Sequence, residues 1–350
     1  MTQHPNLHLN EDQRMLRDAA QRYLSQRHSI AVARAAGGRD AAAQLALWRE
    51  LAAQGWPALL APASLDGLDL GMREAWIVAE AAGRHLLSLP LAANMAVLPT
   101  LCVAGGPSLA AQWAAAMMAG DTWYADAAMR PDGAAFIEGA GEGVRALAVR
   151  RVGAEALRLD LLAPVAGTTG LDPTMPVALA ARPEVAASVD LQVGPDTWNL
   201  VRTRLRLLRS AEILGAASAA LDMAAAHARE RRQFDRAIGA NQAIKHLLAE
   251  DWMALDDARL AGWAAAAALD AGAASAPRDC LYAPLLAVEA GRRATQNAIQ
   301  THGALGVTWE CDAHLYLKRV LRLSASLEAE VPGPDLLERI WEAAAEETLA

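Results

Sequence analysis

The sequence predicts an α+β protein that is mostly α, with helices first, a small β region next and helices again at the end. Three observations predict this. Apolar residues recur at helix spacing through the first third. From about Asp121 to Val193 Gly and Pro increase, and short apolar runs separated by turn residues replace the helical period. From Leu208 onward Ala-rich helical sequence returns. The 350 residues suffice for two or three domains. The composition shifts divide them into a helical N-terminal domain over 1–120, a middle β domain over 121–200 and a C-terminal helical bundle over 201–350.

Each element has a local reason. Asn10 and Gln13 form a capping pair, followed by Met15, Leu16, Ala19, Ala20, Tyr23 and Leu24 at helix spacing. A second helix centres on Leu45, Trp48 and Leu51 and ends near Gly55. Pro57, Pro62, Gly67 and Gly71 mark a loop, and a helix from Met72 to about Leu87 follows. Leu86 to Gly120 carries no Asp, Glu, Lys or Arg, which raises the question of a membrane span. Pro90, Asn94, Pro99, Gly105, Gly106 and Pro107 split it into short pieces, so it reads as buried helix, with Ala111–Met118 as one piece.

In the middle region Leu147–Val149, Leu157–Leu162, Val177–Ala180 and Val189–Val193 read as strands. Pro131-Asp132-Gly133, Gly167, Gly170 and Asp172-Pro173 are the turns between them. Four helices follow: Leu208–Arg229, one starting at the N-cap Asn241, Pro284–Thr301 and Asp312–Ala325.

Charge and composition exclude several functions. Forty acidic residues against 32 basic ones give −8, which argues against a nucleic-acid binder. Only Lys245 and Lys318 are lysine, and the arginine excess carries no signal by itself. Cys102, Cys280 and Cys311 form neither a pair nor a metal spacing, which fits a reducing cytoplasm. The N-terminus lacks the basic and apolar regions of a secretory signal. No G-x-S-x-G elbow or H-E-x-x-H occurs, so neither a hydrolase triad nor a zinc site is expected. His302 reads as a loop residue and His314 as a helix-surface residue. Gly139-Ala140-Gly141-Glu142-Gly143 leads into no helix and reads as a turn.

One segment carries more. Arg229 to Glu250 is a basic helix end, a short apolar hairpin and a new helix start. Its guanidinium groups either complement the helix dipole in solvent or present a fork to a phosphate. The run Arg231-Arg232-Gln233-Phe234, with Asn241-Gln242-Ala243-Ile244 beyond it, resembles the signature of the acyl-CoA dehydrogenase family. Gln300-Thr301-His302-Gly303-Ala304-Leu305-Gly306 is similar to that family's Gln-x-x-Gly-Gly-x-Gly loop. Gly67–Gly71 and Gly170–Thr174 resemble its early glycine loop and a strand-end turn, in the family's order.

The resemblance implies a helical N-terminal domain, a β middle domain and a C-terminal four-helix bundle. It implies FAD, an acyl-CoA thioester substrate and an oligomer. It further implies that the C-terminal motifs reach across a subunit interface to the adenine and pyrophosphate end of a neighbour's FAD. Carried over, Arg231 pairs with the pyrophosphate, and Gln233, Phe234, Asn241 and Gln242 line the cofactor. Gln300, Gly303 and Ala304 let backbone approach it.

Two departures shape the functional expectation. Family chemistry takes an α-proton with a carboxylate while a β-hydride goes to flavin N5. One position for that base, counted beyond the glycine loop, is Leu327, with Glu328 next to it. The other, ahead of the helix near Leu208, is Leu205. Glu212 lies further along and reads as interhelical. The family's Thr-Glu-Pro…Gly-Ser-Asp run is also replaced, by Trp123–Arg130, and the Trp-Ile-Thr strand behind the flavin is missing.

Gly306-Val307-Thr308-Trp309-Glu310, followed by His314-Leu315-Tyr316-Leu317-Lys318-Arg319, resembles the short subunit of heteromeric bacterial acyl-CoA dehydrogenases of the steroid-degradation type. With that resemblance, the leading expectation is one subunit of a heteromeric FAD-dependent acyl-CoA dehydrogenase of that type. It would have no catalytic base of its own, and a second dehydrogenase subunit would be its partner. The alternatives are a self-sufficient homo-oligomer with Glu328 as base, and a non-catalytic acyl-CoA or partner-binding protein on the same fold. No metal, nucleic acid or membrane is expected.

Overall fold

The computed structural model describes residues 8–36, 41–105, 109–330 and 333–349. The helices are α1 Glu11–Arg27, α2 Ile30–Ala36, α3 Ala41–Ala53, α4 Met72–Arg84, α5 Leu91–Gly105 and α6 Leu109–Met118. Six strands follow: β1 Ala125–Met129, β2 Ala135–Glu138, β3 Ala146–Gly153, β4 Ala156–Leu162, β5 Val177–Ala180 and β6 Val185–Gln192. Then come α7 Thr197–Glu230, the short strands β7 Arg232–Gln233 and β8 Arg236–Ala237, α8 Gln242–Asp270, α9 Ala276–His302, α10 Ala313–Glu330 and α11 Gly333–Leu349. This is the mostly helical α+β architecture the sequence predicts.

The chain divides into two compact units. One comprises Met1–Ile30, Trp76–Leu86 and Arg206–Ala350; the other comprises Ala31–Ala75 and Leu87–Leu205.

In the first unit α1 starts at the expected capping box. The Gln13 N–H donates to Asn10 Oδ1 at 2.8 Å, and the Asn10 N–H donates to Gln13 Oε1 at 3.1 Å. The α4 and α7 backbones cross in near contact through two glycines. A methyl on Gly83 would overlap the Glu212 carbonyl, and one on Gly215 the Glu80 carbonyl. Arg259 on α8 ties three helices together. It donates to Glu80 of α4 at 2.7 Å, to Ser218 of α7 at 2.9 Å and to Asp256 on its own helix at 3.3 Å.

The hairpin of α8 and α9 is pinned by a buried carboxylate. Asp251 accepts from Arg293 Nε at 3.0 Å and from Asn297 Nδ2 at 3.0 and 2.9 Å. The helices α10 and α11 pack on α9. His314 is buried on α10, not on the surface as expected, and the exposed Trp309 ring covers it edge-on at 4.9 Å.

The second unit holds the sheet, in the order β5-β2-β1-β3-β4-β6, antiparallel throughout except for β1 beside β3. Alternation explains β4: Leu157, Leu159 and Leu161 are buried on one face. Its other face carries Asp160, which accepts from Arg150 and from Ser188 Oγ at 2.6 Å across three strands. Pro131-Asp132-Gly133 turns β1 into β2, with Gly133 at φ 85°.

The charge-free stretch differs from expectation. One helix, α5, runs continuously through Pro99. Proline removes the N–H that would reach the Met95 carbonyl, but the helix is buried on nearly all sides and packing carries it past that position; Thr100 Oγ1 next to it donates to the Ala96 carbonyl at 2.6 Å. Asn94 closes the start of β1, donating to the Tyr124 carbonyl at 2.8 Å and accepting from its N–H at 3.0 Å. Among the described residues, no helix is long and apolar enough to cross a membrane.

Candidate functional site

The first motif grows out of the end of α7. The Arg231 N–H still donates to the His227 carbonyl at 2.8 Å, so Arg231 sits one helical turn above His227. The chain then reverses through β7 and β8. Phe234 and Asp235 form the two-residue connection, with φ 52° and 61°. Two positive φ values match the right-handed twist of a hairpin, as in a type I′ turn, but neither residue is glycine. Left-handed backbone costs roughly 1–2 kcal/mol at such a residue. The Ile238 N–H donates back to the Arg231 carbonyl at 2.8 Å, and Gly239 lies against the Ala228 backbone. The hairpin therefore folds back on α7 and holds the Phe234 ring outward, 95% exposed.

Asn241 occupies the N-cap position of α8, but its side chain does not cap that helix. It accepts from Arg236 Nη2 at 2.5 Å and donates to the Ile238 carbonyl at 3.0 Å, bracing the hairpin. Gln242 is the first residue of α8 and is exposed.

The second motif closes α9. Gln300 is exposed in its last turn. Gly303 is the C-cap at φ 65°, and its N–H donates to the Ile299 and Gln300 carbonyls. A side chain at Gly303 would meet nothing, so the positive φ requires glycine there, not crowding. Ala304 is exposed in the 3₁₀ turn Gly303–Val307. Leu305, Val307 and Trp309 next to it stand exposed, and the Lys318 ammonium lies 5.2 Å from the Trp309 ring centre.

Two residues without a role in the sequence reading join these motifs. The His227 and His302 rings stack with centres 4.5 Å apart and planes 26° from parallel. His302 Nδ1 lies 2.7 Å from the Ala298 carbonyl and so must donate to it. His227 is held below its ordinary pKa by partial burial, then by His302 and Arg231; Glu230 opposes this. The spacing was legible, since His227 precedes Arg231 by one turn and His302 follows Gln300 by two residues. Their meeting was not.

The expected base positions carry no acid. Leu205 is buried in its unit. In the other unit Leu327 is 6% exposed and lines a cavity of ≈ 70 Å³ with Leu281, Leu285 and Val288. That volume is far below the roughly 300–1,000 Å³ of ligand pockets. Glu328 is half exposed, and both its oxygens are engaged by Arg292, at 2.7 and 2.9 Å. Trp123, Tyr124 and Ala125, at the start of the replaced flavin-contacting run, are buried, and burial pushes the Tyr124 hydroxyl up to about 12. Among the described residues, no cluster of three potential metal ligands occurs.

Residues 10–121 match the Acyl-CoA dehydrogenase, N-terminal domain family, and residues 198–326 match the Acyl-CoA dehydrogenase, C-terminal domain family. Over 334 residues the chain is 30% identical to the acyl-CoA dehydrogenase IpdE2 of Mycobacterium tuberculosis, covering 95% of this chain and 98% of that protein. The chain belongs to the acyl-CoA dehydrogenase family. Acyl-CoA dehydrogenase FadE27 of the same organism is 29% identical over 302 residues, 77% of this chain and 81% of that one. The fold is shared with a chain of the ChsE4-ChsE5 complex from M. tuberculosis, at TM-score 0.78 and 23% identity over 98% of this chain and 99% of that one. It is shared as well with butyryl-CoA dehydrogenase from Megasphaera elsdenii, at TM-score 0.74 and 17% identity over 95% and 100%.

Membership makes the protein an oxidoreductase acting on the CH–CH bond of acyl-CoA thioesters, with FAD as cofactor. When bound, FAD supplies the hydride acceptor. The two motifs fit such a group. Arg231, Gln233, Gln242 and Gln300 are exposed, and their side chains make no hydrogen bond within the described residues. Next to them are a bare glycine backbone at Gly303 and an uncovered aromatic ring at Phe234. A guanidinium fork, amide groups and an apolar face are what a dinucleotide's phosphates and rings require.

Proposed function

We propose that this chain is one subunit of a heteromeric acyl-CoA dehydrogenase and lends its C-terminal motifs to an FAD seated mainly in a different subunit. Arg231 pairs with the pyrophosphate. Gln233, Phe234 and Gln242 line the dinucleotide, Asn241 braces the hairpin that carries them, and Gln300, Gly303 and Ala304 present side chain and backbone to it. The observation that carries this reading is the Arg231–Phe234 hairpin: it spends backbone strain to hold an aromatic ring and unpartnered polar groups away from its own chain. The exposed apolar residues Leu305, Val307 and Trp309 at the second motif suit a subunit interface.

The chain contributes no general base. A base needs a free carboxylate at the substrate, and the two family positions hold leucines. Glu328, the base of the self-sufficient alternative, is engaged at both oxygens by a guanidinium. The partner subunit would take the proton.

Among proteins of like fold, one is a chain from a complex of two named proteins, ChsE4 and ChsE5, and another is called a steroid acyl-CoA dehydrogenase. These names support a bulky, steroid-derived CoA thioester as substrate, by association. The three free, buried cysteines suit a reducing cytoplasm.

The test is expression alone and together with a neighbouring dehydrogenase gene product. Co-expression should yield a yellow, active complex, and the single chain a colourless, inactive one. A yellow, active protein made of this chain alone would overturn the proposal.

A further inference from the structure

We propose that the stacked His227–His302 pair is a proton-linked element of the dinucleotide cradle: His227 takes up one proton when the pyrophosphate is seated. The inference rests on the reading above, in that it needs a pyrophosphate at Arg231.

The geometry places the pair where such a role is possible. Arg231 directly follows α7, four residues after His227, and its N–H donates to the His227 carbonyl, which stacks the two positions one turn apart. An anion held by the Arg231 guanidinium is therefore close to the His227 ring. The second ring comes from the other motif, two residues beyond Gln300, and it is fixed. A carbonyl only accepts, so His302 Nδ1 carries the hydrogen it donates to Ala298, and in the neutral ring Nε2 is left without one. The stack joins the end of α7 to the end of α9 and sets the gap across which both motifs meet the dinucleotide.

The charge balance then gives a sign. Among the described residues, three charged or titratable groups act on His227: Glu230 at the end of α7, Arg231 just beyond it, and His302 from α9. Without a ligand, partial burial and the two basic neighbours favour the neutral imidazole, and Glu230 opposes them. A pyrophosphate beside Arg231 brings two negative charges and reverses that balance in favour of imidazolium. A group that gains a proton on binding makes the affinity rise as pH falls, by up to about tenfold per pH unit for one proton. His302 acts as a positioning residue, because its ring fixes where His227 lies.

The experiment uses the flavin-loaded protein in the assembly in which it is purified. It is diluted at pH 6, 7 and 8, and free-flavin fluorescence reports release. The wild type should hold FAD about five- to tenfold less tightly at pH 8 than at pH 6. His227→Phe keeps a stacking ring without a proton site. It should give a flat profile that meets the wild type at high pH. Isothermal titration of the stripped wild type with FAD at pH 7, in two buffers of different ionisation heat, should show net proton uptake.

Wild-type pH dependence in His227→Phe, or zero proton uptake, overturns the inference. Arg231→Ala separates this from failure of the wider reading. If Arg231→Ala weakens flavin retention while His227→Phe behaves as wild type, only the proton link falls. If Arg231→Ala leaves retention unchanged, the cradle itself is misplaced.

Discussion

Asp251 offers the sharpest test of how the two motifs are held in place. It lies on α8, ten residues past the N-cap, and its side chain is wholly buried. Arg293 and Asn297, which donate to it, lie on α9 within two turns of Gln300. Asp251→Asn keeps the shape and removes the charge. One oxygen can still accept, but an NH₂ group then faces the Asn297 NH₂, donor against donor. A hydrogen bond to a charged group is worth about 1.5–3 kcal/mol, and an unpaired buried donor costs a further 1–3. Arg293 is half exposed and recovers solvation from water, which removes part of that loss. A net destabilisation of about 2 kcal/mol remains, or about 3 °C in melting temperature for 350 residues.

The assay is thermal melting by far-UV circular dichroism at fixed protein concentration, with a urea midpoint alongside. The exchanged pair Asp251→Asn with Asn297→Asp should recover much of the loss, because the carboxylate only changes sides. If Asp251→Asn melts at the wild-type temperature, the carboxylate is not what pins α8 to α9, and the account of the motif spacing fails.

Three further outcomes follow from the described geometry. Burial, then Arg84 and His28, lower the His85 pKa to about 4, and burial lowers that of His28 as well. The folded state keeps these rings neutral while the unfolded chain protonates them below about 6.5. Stability should therefore fall from pH 6.5 toward 4, by up to about 1.4 kcal/mol per pH unit for each ring, and His85→Gln should flatten part of the slope in urea melts. Gly215→Ala should cost several kcal/mol, of order 3 or more, and shift the protein to the insoluble fraction, because its methyl meets the Glu80 backbone; Ala216→Gly nearby should not. Burial pushes Cys102 up to about 11 and Cys280 up to about 12, so thiol reagents at pH 8 should modify both only on unfolding; fast labelling of either in the native protein would contradict their placement.

Much of the fold was legible because long helices announce themselves by period and cap. Asn10 with Gln13 marked α1 correctly, and the short apolar run Leu157–Leu162 between turn residues marked β4. Three kinds of feature were hidden. The helix α5 was read as fragments because local propensity treats Pro99 as a break, whereas tertiary packing carries the helix through it. The strands β1 and β2 are only five and four residues long and Ala-rich, too short for alternation to show, although the turn between them was visible. The helix α7 begins at Thr197, ahead of the expected start at Leu208, and α11 was not anticipated at all.

The candidate site divides in the same way. Residue identities in the two motifs were readable, since Arg231, Phe234, Gln300 and Gly303 stand close in sequence within each motif. The outward pose of Phe234, the use of the Asn241 side chain on the hairpin instead of on α8, and the His227–His302 stack depend on contacts that spacing does not encode. His302 was read as a loop residue, whereas it ends α9, and the ring that gives it a partner lies 75 positions earlier.

The uncovered rings and aliphatic groups at Phe234, Val307 and Trp309 carry a cellular consequence. If a second subunit covers them, as proposed above, each surplus copy of this chain displays an apolar edge open to non-specific association. Synthesis out of proportion would then be punished through aggregation, whatever the rate of turnover. Selection on such a polypeptide acts on gene dosage and timing as well as on chemistry.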